Sequence, residues 1–345
     1  MNFASDNTTG ASPAILEAIT GLNDGRAMPY GQDDFSHRAA DKIREIFETD
    51  AEVFFVATGT AANTLSLSVL APSYGAVLCH WQSHIYEDEC GGPEFFTGGA
   101  KLIPVSGPNA KLDLEDLDHH AGRGVGDVHM VQPSAASITQ VTEFGAAYTR
   151  SEIEALGELC QRRGLKLHMD GARFANAVAA LDCAPADITW KAGVDVLSFG
   201  ATKNGAMASE AVVLFDRALA QEFAFRRKRG GHLFSKMRLL AGQIEAYLTD
   251  DLWLSNARHA NAMASRLADG LASVPGIEIT APVDANMLFP KLPRPVIEGL
   301  WADGFQFYDG RWEPNVVRLV TAFNTREEDV DAFVAAARRH IEKAA

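Results

Sequence analysis

Between residues 52 and 215 the chain alternates short apolar runs with amphipathic stretches, and few architectures accept that pattern. The runs EVFFVAT (52–58), AVLCH (76–80), KLIPV (101–105), DVHMVQ (127–132), LKLHMD (165–170), VDVLSFG (194–200) and EAVVLF (210–215) read as strands. Helical periodicity fills TAANTLSLSVLA (60–71), SEIEALGELCQRRG (151–164) and ARFANAVAALD (172–182). Strands alternating with helices build βαβ units, so the expected fold is α/β with a largely parallel sheet. From about Phe223 to Leu271 longer helical periodicity takes over, with a break near RGGH (229–232). Short strand patterns (IEIT, ANMLFP, VVRLVTAF) and two helical ones then suggest a small α+β unit. The expected division is an arm at 1–12, a large α/β domain at 13–247 and a small domain at 248–345.

Charge narrows the partners. With 31 basic and 45 acidic residues the formal net charge is −14, which argues against a nucleic-acid groove or an anionic membrane surface. No apolar run approaches the roughly 18 residues of a membrane span, and MNFASDNTTG lacks the basic and apolar regions of a signal peptide. Cys79, Cys90, Cys160 and Cys183 form no CxxC pair, so a reduced, cytoplasmic setting without a cysteine metal site is expected.

Three stretches could carry chemistry together. LKLHMDGAR ends a strand in Asp170, and a carboxylate there faces the crevice in which open α/β sheets bind ligands. Asp170 equally suits the N-cap of the helix that follows. Thirty-three residues later Lys203 ends the next strand, in VDVLSFGATKNGAM, where a plain surface lysine is the other reading. A lysine and a carboxylate so placed suit pyridoxal phosphate (PLP): the lysine links the cofactor covalently, and the carboxylate keeps the pyridine nitrogen protonated. ATGTAANTLSL offers a strand, Gly59-Thr60 and a helix N-terminus, a place for the phosphate. It has no Walker pattern, and GRGVG (122–126) is a glycine cluster without the dinucleotide fingerprint. In HWQSHIYEDECGG two histidines lie four apart without an evident third ligand, a weak metal signal. His84 could instead stack on an aromatic cofactor.

In order along the chain, SDNTTGASP, TGTAAN, HIYEDECGGPEFF, HMDGARFANA, SFGATKNG and VRLVTAFNT resemble the threonine aldolase family of fold-type-I PLP enzymes, within the β-eliminating lyase group. The resemblance implies that Lys203 carries PLP, that Asp170 pairs with its ring nitrogen, that His84 stacks on the ring and that Gly59 and Thr60 bind the phosphate. Ser5, Arg173 and Arg318 resemble the residues that hold the substrate carboxylate, a task to which the planar guanidinium fork is suited. Tyr30 matches a tyrosine that reaches a neighbouring subunit's site, and Arg229 a basic residue near the phosphate. The implied reaction is cleavage of L-threonine, L-allo-threonine and related β-hydroxy-α-amino acids to glycine and an aldehyde, in a homotetramer built from dimers. Many members carry a second histidine after the strand represented here by VHMVQPS; this chain has QPSAASITQVTEFG, which leaves His84, directly or through water, as the candidate base. A PLP lyase expelling another β-substituent and a non-catalytic protein on the same scaffold are the competing expectations.

Overall fold

The computed structural model describes residues 1–344. After a short turn at Asp6–Thr8 come α1 (Pro13–Leu22) and α2 (Asp34–Ile46). The alternating region follows as β1 (Glu52–Val56), α3 (Gly59–Leu70), β2 (Gly75–His80), α4 (His84–Glu87), α5 (Gly92–Thr97), β3 (Lys101–Val105), α6 (Leu114–Gly122), β4 (Gln132–Thr139), α7 (Arg150–Arg163), β5 (Lys166–Gly171), α8 (Phe174–Leu181), β6 (Val196–Gly200) and β7 (Glu210–Leu214). These strands form one sheet in the order β1-β7-β6-β5-β4-β2-β3. β2 to β6 run parallel, whereas β7 is antiparallel to both β6 and β1.

Local chemistry explains the element ends. Thr149 and Glu152 form a reciprocal capping box at the start of α7, and Gly164 closes it in the left-handed conformation. Every residue of β2, β6 and β7 is buried, which is why their sequences read as continuous apolar runs.

One expected strand moves. DVHMVQ does not form a strand; β4 is Gln132–Thr139, one run later. The Gln132 amide donates to the carbonyls of Gly124, Asp127 and Met130, which folds 124–130 into turns. Ala135 and Ala136, fully buried, then let β4 lie tightly between β2 and β5.

The rest of the chain comprises α9 (Ala220–Arg229), α10 (Arg238–Tyr247), α11 (Leu252–Ala272), β8 (Glu278–Ile279), β9 (Met287–Leu288), β10 (Pro290–Lys291), α12 (Arg294–Ala302), β11 (Tyr308–Asp309), β12 (Val317–Val320) and α13 (Glu327–Ala344). α11 serves two cores: Trp253 and Ala257 pack with the large sheet, while Met263, Leu267 and Leu271 pack with Leu288, Leu300 and Phe333. Phe3 belongs to that second cluster. Its amide donates to Gln306 O (2.8 Å) and its carbonyl accepts from Val320 (2.8 Å), so the arm seams onto the small unit. Among the described residues no helix is long and apolar enough to cross a membrane.

Candidate active site

Asp170 sits near the C-terminal end of β5, and Lys203 lies three residues beyond the parallel neighbour β6. The two strand ends come unusually close: a Cβ on Gly200 would stand 2.7 Å from backbone atoms of Gly171 and Ala172, so only glycine fits there. The Lys203 turn is pinned from behind. Ala201 N donates to Glu210 Oε2 (2.6 Å), and the Asn204 amide donates to Tyr247 Oη (2.7 Å) and Trp253 O (2.8 Å). Below Asp170, His168 bridges Ser137 (2.9 Å) and Ser198 (3.0 Å) across three strands; burial pushes its imidazole down to about 4, so it is a neutral structural link.

A cavity of about 320 Å³ opens at these strand ends, lined among others by Gly59, Thr60, His84, Asp170, Thr202 and Lys203. α3 points its N-terminus into it. Thr58 caps that helix by accepting from Ala61 N (3.1 Å). The amides of Gly59 and Thr60 lie in the first turn, where no intrahelical acceptor exists. A Cβ on Gly59 would meet nothing within 4 Å, so the glycine leaves open space where an anion can approach those amides.

In the same cavity, burial and the Arg173 charge hold the Lys203 amine below the ordinary lysine range; Asp6, Asp170 and Glu210 oppose that shift. A less protonated amine is the form that attacks a carbonyl carbon. With an anion cradle, a carboxylate and an amine all lining one cavity, these residues fit PLP.

Around Asp170 lies a buried network that the sequence reading missed. Asp170 Oδ1 accepts from Ala172 N (2.9 Å) and Oδ2 from Asn63 Nδ2 (2.8 Å). The N-cap position of α8 is held by Arg173, not by Asp170. Asn63 also donates to Glu89 Oε1 (2.9 Å), which lies 2.8 Å from His84 Nδ1. Glu143, in the stretch lacking the second histidine, accepts from His84 N (2.8 Å) and Thr139 Oγ1 (2.9 Å). Burial and the nearby Asp170 push its carboxyl up to about 7.

The two expected carboxylate-binding arginines differ. Arg173 donates from Nε and Nη2 to both oxygens of buried Asp6 (2.7 and 2.9 Å). Burial alone would raise the Asp6 carboxyl, but the Arg173 and Lys203 charges hold it below the usual range. Arg318 makes no ion pair among the described residues. It donates from Nη2 to Ala4 O (3.2 Å), stacks over Tyr308 and Trp312 (5.1 and 5.5 Å), and leaves Nε buried without a partner. Burial and the neighbouring Arg173 bring its guanidinium down to about 10. Ser5 Oγ accepts from Asn7 N (3.2 Å) in the turn that presents Asp6.

Ser5, Arg173 and Arg318 lie outside the lining of this cavity, and Ser5 lines a separate one; Tyr30 and Arg229 do not join the cavity either. Tyr30 is exposed, with the Lys228 ammonium 5.1 Å from its ring centre. Arg229 is exposed at the end of α9, while Arg227 two residues earlier lies half-buried over the Phe54 ring (4.9 Å). Asp6, Asn63, Glu89 and Glu143 carried one sequence signal each: they stand inside or beside the motifs that hold Ser5, Gly59, His84 and the expected second histidine.

Residues 2–293 match the family model described as beta-eliminating lyase. The chain is 46% identical over 306 residues to a low specificity L-threonine aldolase of Pseudomonas aeruginosa, an alignment covering 89% of this chain and 88% of that one. It is 45% identical, with the same coverage, to the enzyme of that description from another Pseudomonas strain. The solved structure of Leishmania major threonine aldolase matches with a TM-score of 0.92 at 32% identity, covering 98% of both chains.

Proposed function

The chain belongs to the beta-eliminating lyase family, on its threonine aldolase side, and from that premise we propose that it cleaves L-threonine and L-allo-threonine to glycine and acetaldehyde. It is a PLP-dependent aldehyde-lyase of fold type I. The observation that carries the reading is the convergence of Lys203, Asp170 and the α3 N-terminus on one cavity. Incubation of the purified protein with PLP and L-threonine, L-allo-threonine or phenylserine is expected to release glycine and the matching aldehyde in equal amounts. A keto acid and ammonia would instead indicate elimination of a β-substituent, and no product would favour a non-catalytic scaffold.

When bound, PLP supplies an electron sink for the pair released as the Cα–Cβ bond breaks. Lys203 would hold the cofactor covalently, the Gly59 and Thr60 amides would take its phosphate, and Asp170 would pair with its ring nitrogen. His84 would lie against the ring and accept the β-hydroxyl proton, directly or through a water it orients. Arg318, Arg173 and Ser5 would bind the substrate carboxylate. Asp6 occupies two of the donor nitrogens of Arg173, so Arg318, free of any carboxylate, is the primary anchor. Tyr30 and Arg229 would serve the site of a neighbouring copy in a homotetramer. Met28, Tyr30, Phe95 and Phe225 are large apolar residues exposed on the single chain, which supports such an assembly. Four unpaired cysteines support a reducing, cytoplasmic setting.

Arg318→Ala should impair substrate use far more than cofactor retention. Removing one charge-assisted hydrogen bond, about 1.5–3 kcal/mol, should lower kcat/KM at least roughly tenfold. Unchanged kinetics with a sharply lower Tm would make Arg318 a packing residue, its stacking on Tyr308 and Trp312 being its whole role.

A further inference from the structure

We propose that Glu89 is a positioning residue that fixes the proton of His84 on Nδ1 and thereby keeps Nε2 as the proton acceptor, with Asn63 tying the pair to Asp170. The inference rests on His84 being the base in the reading above.

The Glu89 side chain is completely buried, and its Oε1 stands 2.8 Å from His84 Nδ1. An ionised carboxylate can only accept, so the proton in that contact belongs to Nδ1. His84 Nε2 then keeps its lone pair and has no partner among the described residues, while His84 lines the cavity. Asn63 strengthens the assignment. Its amide nitrogen spends both hydrogens on two carboxylates, Glu89 and Asp170. Two N–H donors converge on Glu89 Oε1, which favours the ionised acceptor.

The arrangement is costly as packing alone. Glu89 Oε2 and Asn63 Oδ1 are buried without partners, and buried polar atoms are ordinarily satisfied. The backbone is held too: Glu143 accepts from His84 N, which fixes the Cα from which the ring reaches Glu89. Burial would lower the His84 pKa, and Lys203 acts the same way, but Glu89 and Asp170 outweigh them and raise it. Burial and Asp170 raise the Glu89 carboxyl, against the His84 and Asn63 bonds. A single histidine oriented by a carboxylate thus stands as the candidate base in a chain without the second histidine that the resemblance leads one to expect.

Two substitutions separate orientation from charge. In Glu89→Gln the amide oxygen can still accept from Nδ1–H, but the negative charge is gone. In Glu89→Leu the acceptor is gone. With ¹⁵N-histidine-labelled holoenzyme, the wild type and Glu89→Gln are expected to show His84 protonated at Nδ1, and Glu89→Leu to show the Nε2–H form. kcat on L-threonine should fall about 100-fold or more in Glu89→Leu, the scale of lost acid–base catalysis, with cofactor retention preserved. Glu89→Gln should lose less than about tenfold at its plateau. Its acid limb should move to lower pH, because a carboxylate beside an imidazole favours the cation and its removal lowers the histidine pKa. The proposal is overturned if Glu89→Leu keeps the Nδ1–H signature and near-wild-type kcat, or if the acid limb of Glu89→Gln does not move. It is equally overturned if both variants lose activity alike together with cofactor and Tm. Failure of the wild type to cleave any β-hydroxy amino acid would sink the functional reading instead, since the NMR signature needs no turnover.

Discussion

Lys203→Ala is expected to lose covalent cofactor attachment and nearly all cleavage activity while keeping its fold. The lysine stands beyond a buried strand end, in a turn fixed by hydrogen bonds to Glu210, Tyr247 and Trp253, none of which the amine makes. Its removal therefore leaves the scaffold intact. Covalent catalysis splits one hard step into easier ones, and forfeiting it should lower kcat by roughly a thousandfold or more, about 4 kcal/mol. The wild type incubated with PLP should be yellow, and borohydride reduction followed by peptide mapping should place the pyridoxyl group on Lys203. A label on another lysine, or cleavage in Lys203→Ala at wild-type rates, would remove the central residue from the reading.

Asp170→Asn is expected to fold, to retain some cofactor and to lose most activity. Breaking one partner of a buried charge pair costs about 3–5 kcal/mol, which predicts a fall in kcat/KM of roughly 100-fold or more. The surroundings sharpen the expectation. Asp170 accepts from Asn63 Nδ2 on one oxygen and from Ala172 N on the other. An asparagine can satisfy only one of them with its single oxygen, and its amide would then face the second donor. Asn63 could turn its unbonded Oδ1 toward the new amide only by giving up its bond to Glu89. Kinetics, cofactor occupancy and Tm measured on one preparation decide the matter: turnover near wild type with lowered Tm would reduce Asp170 to a loop anchor.

The sheet was legible because burial wrote itself into composition. β2, β5, β6 and β7 are almost wholly buried and therefore apolar, and the strand-end residues Asp170 and Lys203 stood out as charges just past such runs. β4 was misplaced because its Ser and Ala residues have little strand propensity; the tight fit between two neighbours, not intrinsic preference, makes them extended. The antiparallel course of β7 had no signal, since a buried strand reads the same in either direction. Asp6, Glu89 and Glu143 looked like ordinary loop acids. Whether a carboxylate is buried depends on chain segments far away: Asp6 is held by Arg173 and Glu143 by His84, 167 and 59 positions off, and Glu89, though only five residues from His84, takes its second bond from Asn63, 26 positions upstream. Arg173 read as an open clamp for the same reason, as its partner Asp6 lies 167 positions upstream.

That distance has a consequence for how the molecule is made. Asp6 meets Arg173 across 167 positions and Asn286 across 280, and Ala4 meets Arg318 across 314. During translation β5 with Asp170 and β6 with the following Lys203 turn emerge and can pair well before Asn286 or Arg318 exists, because domains fold as their segments become available. The surroundings of Arg318, proposed to bind the substrate carboxylate, are thus completed last. A chain released early would hold the residues proposed to bind the cofactor, yet lack Arg318, the residue proposed to grip the substrate carboxylate. On that assignment, synthesis order places the cofactor groups in the chain before the substrate anchor.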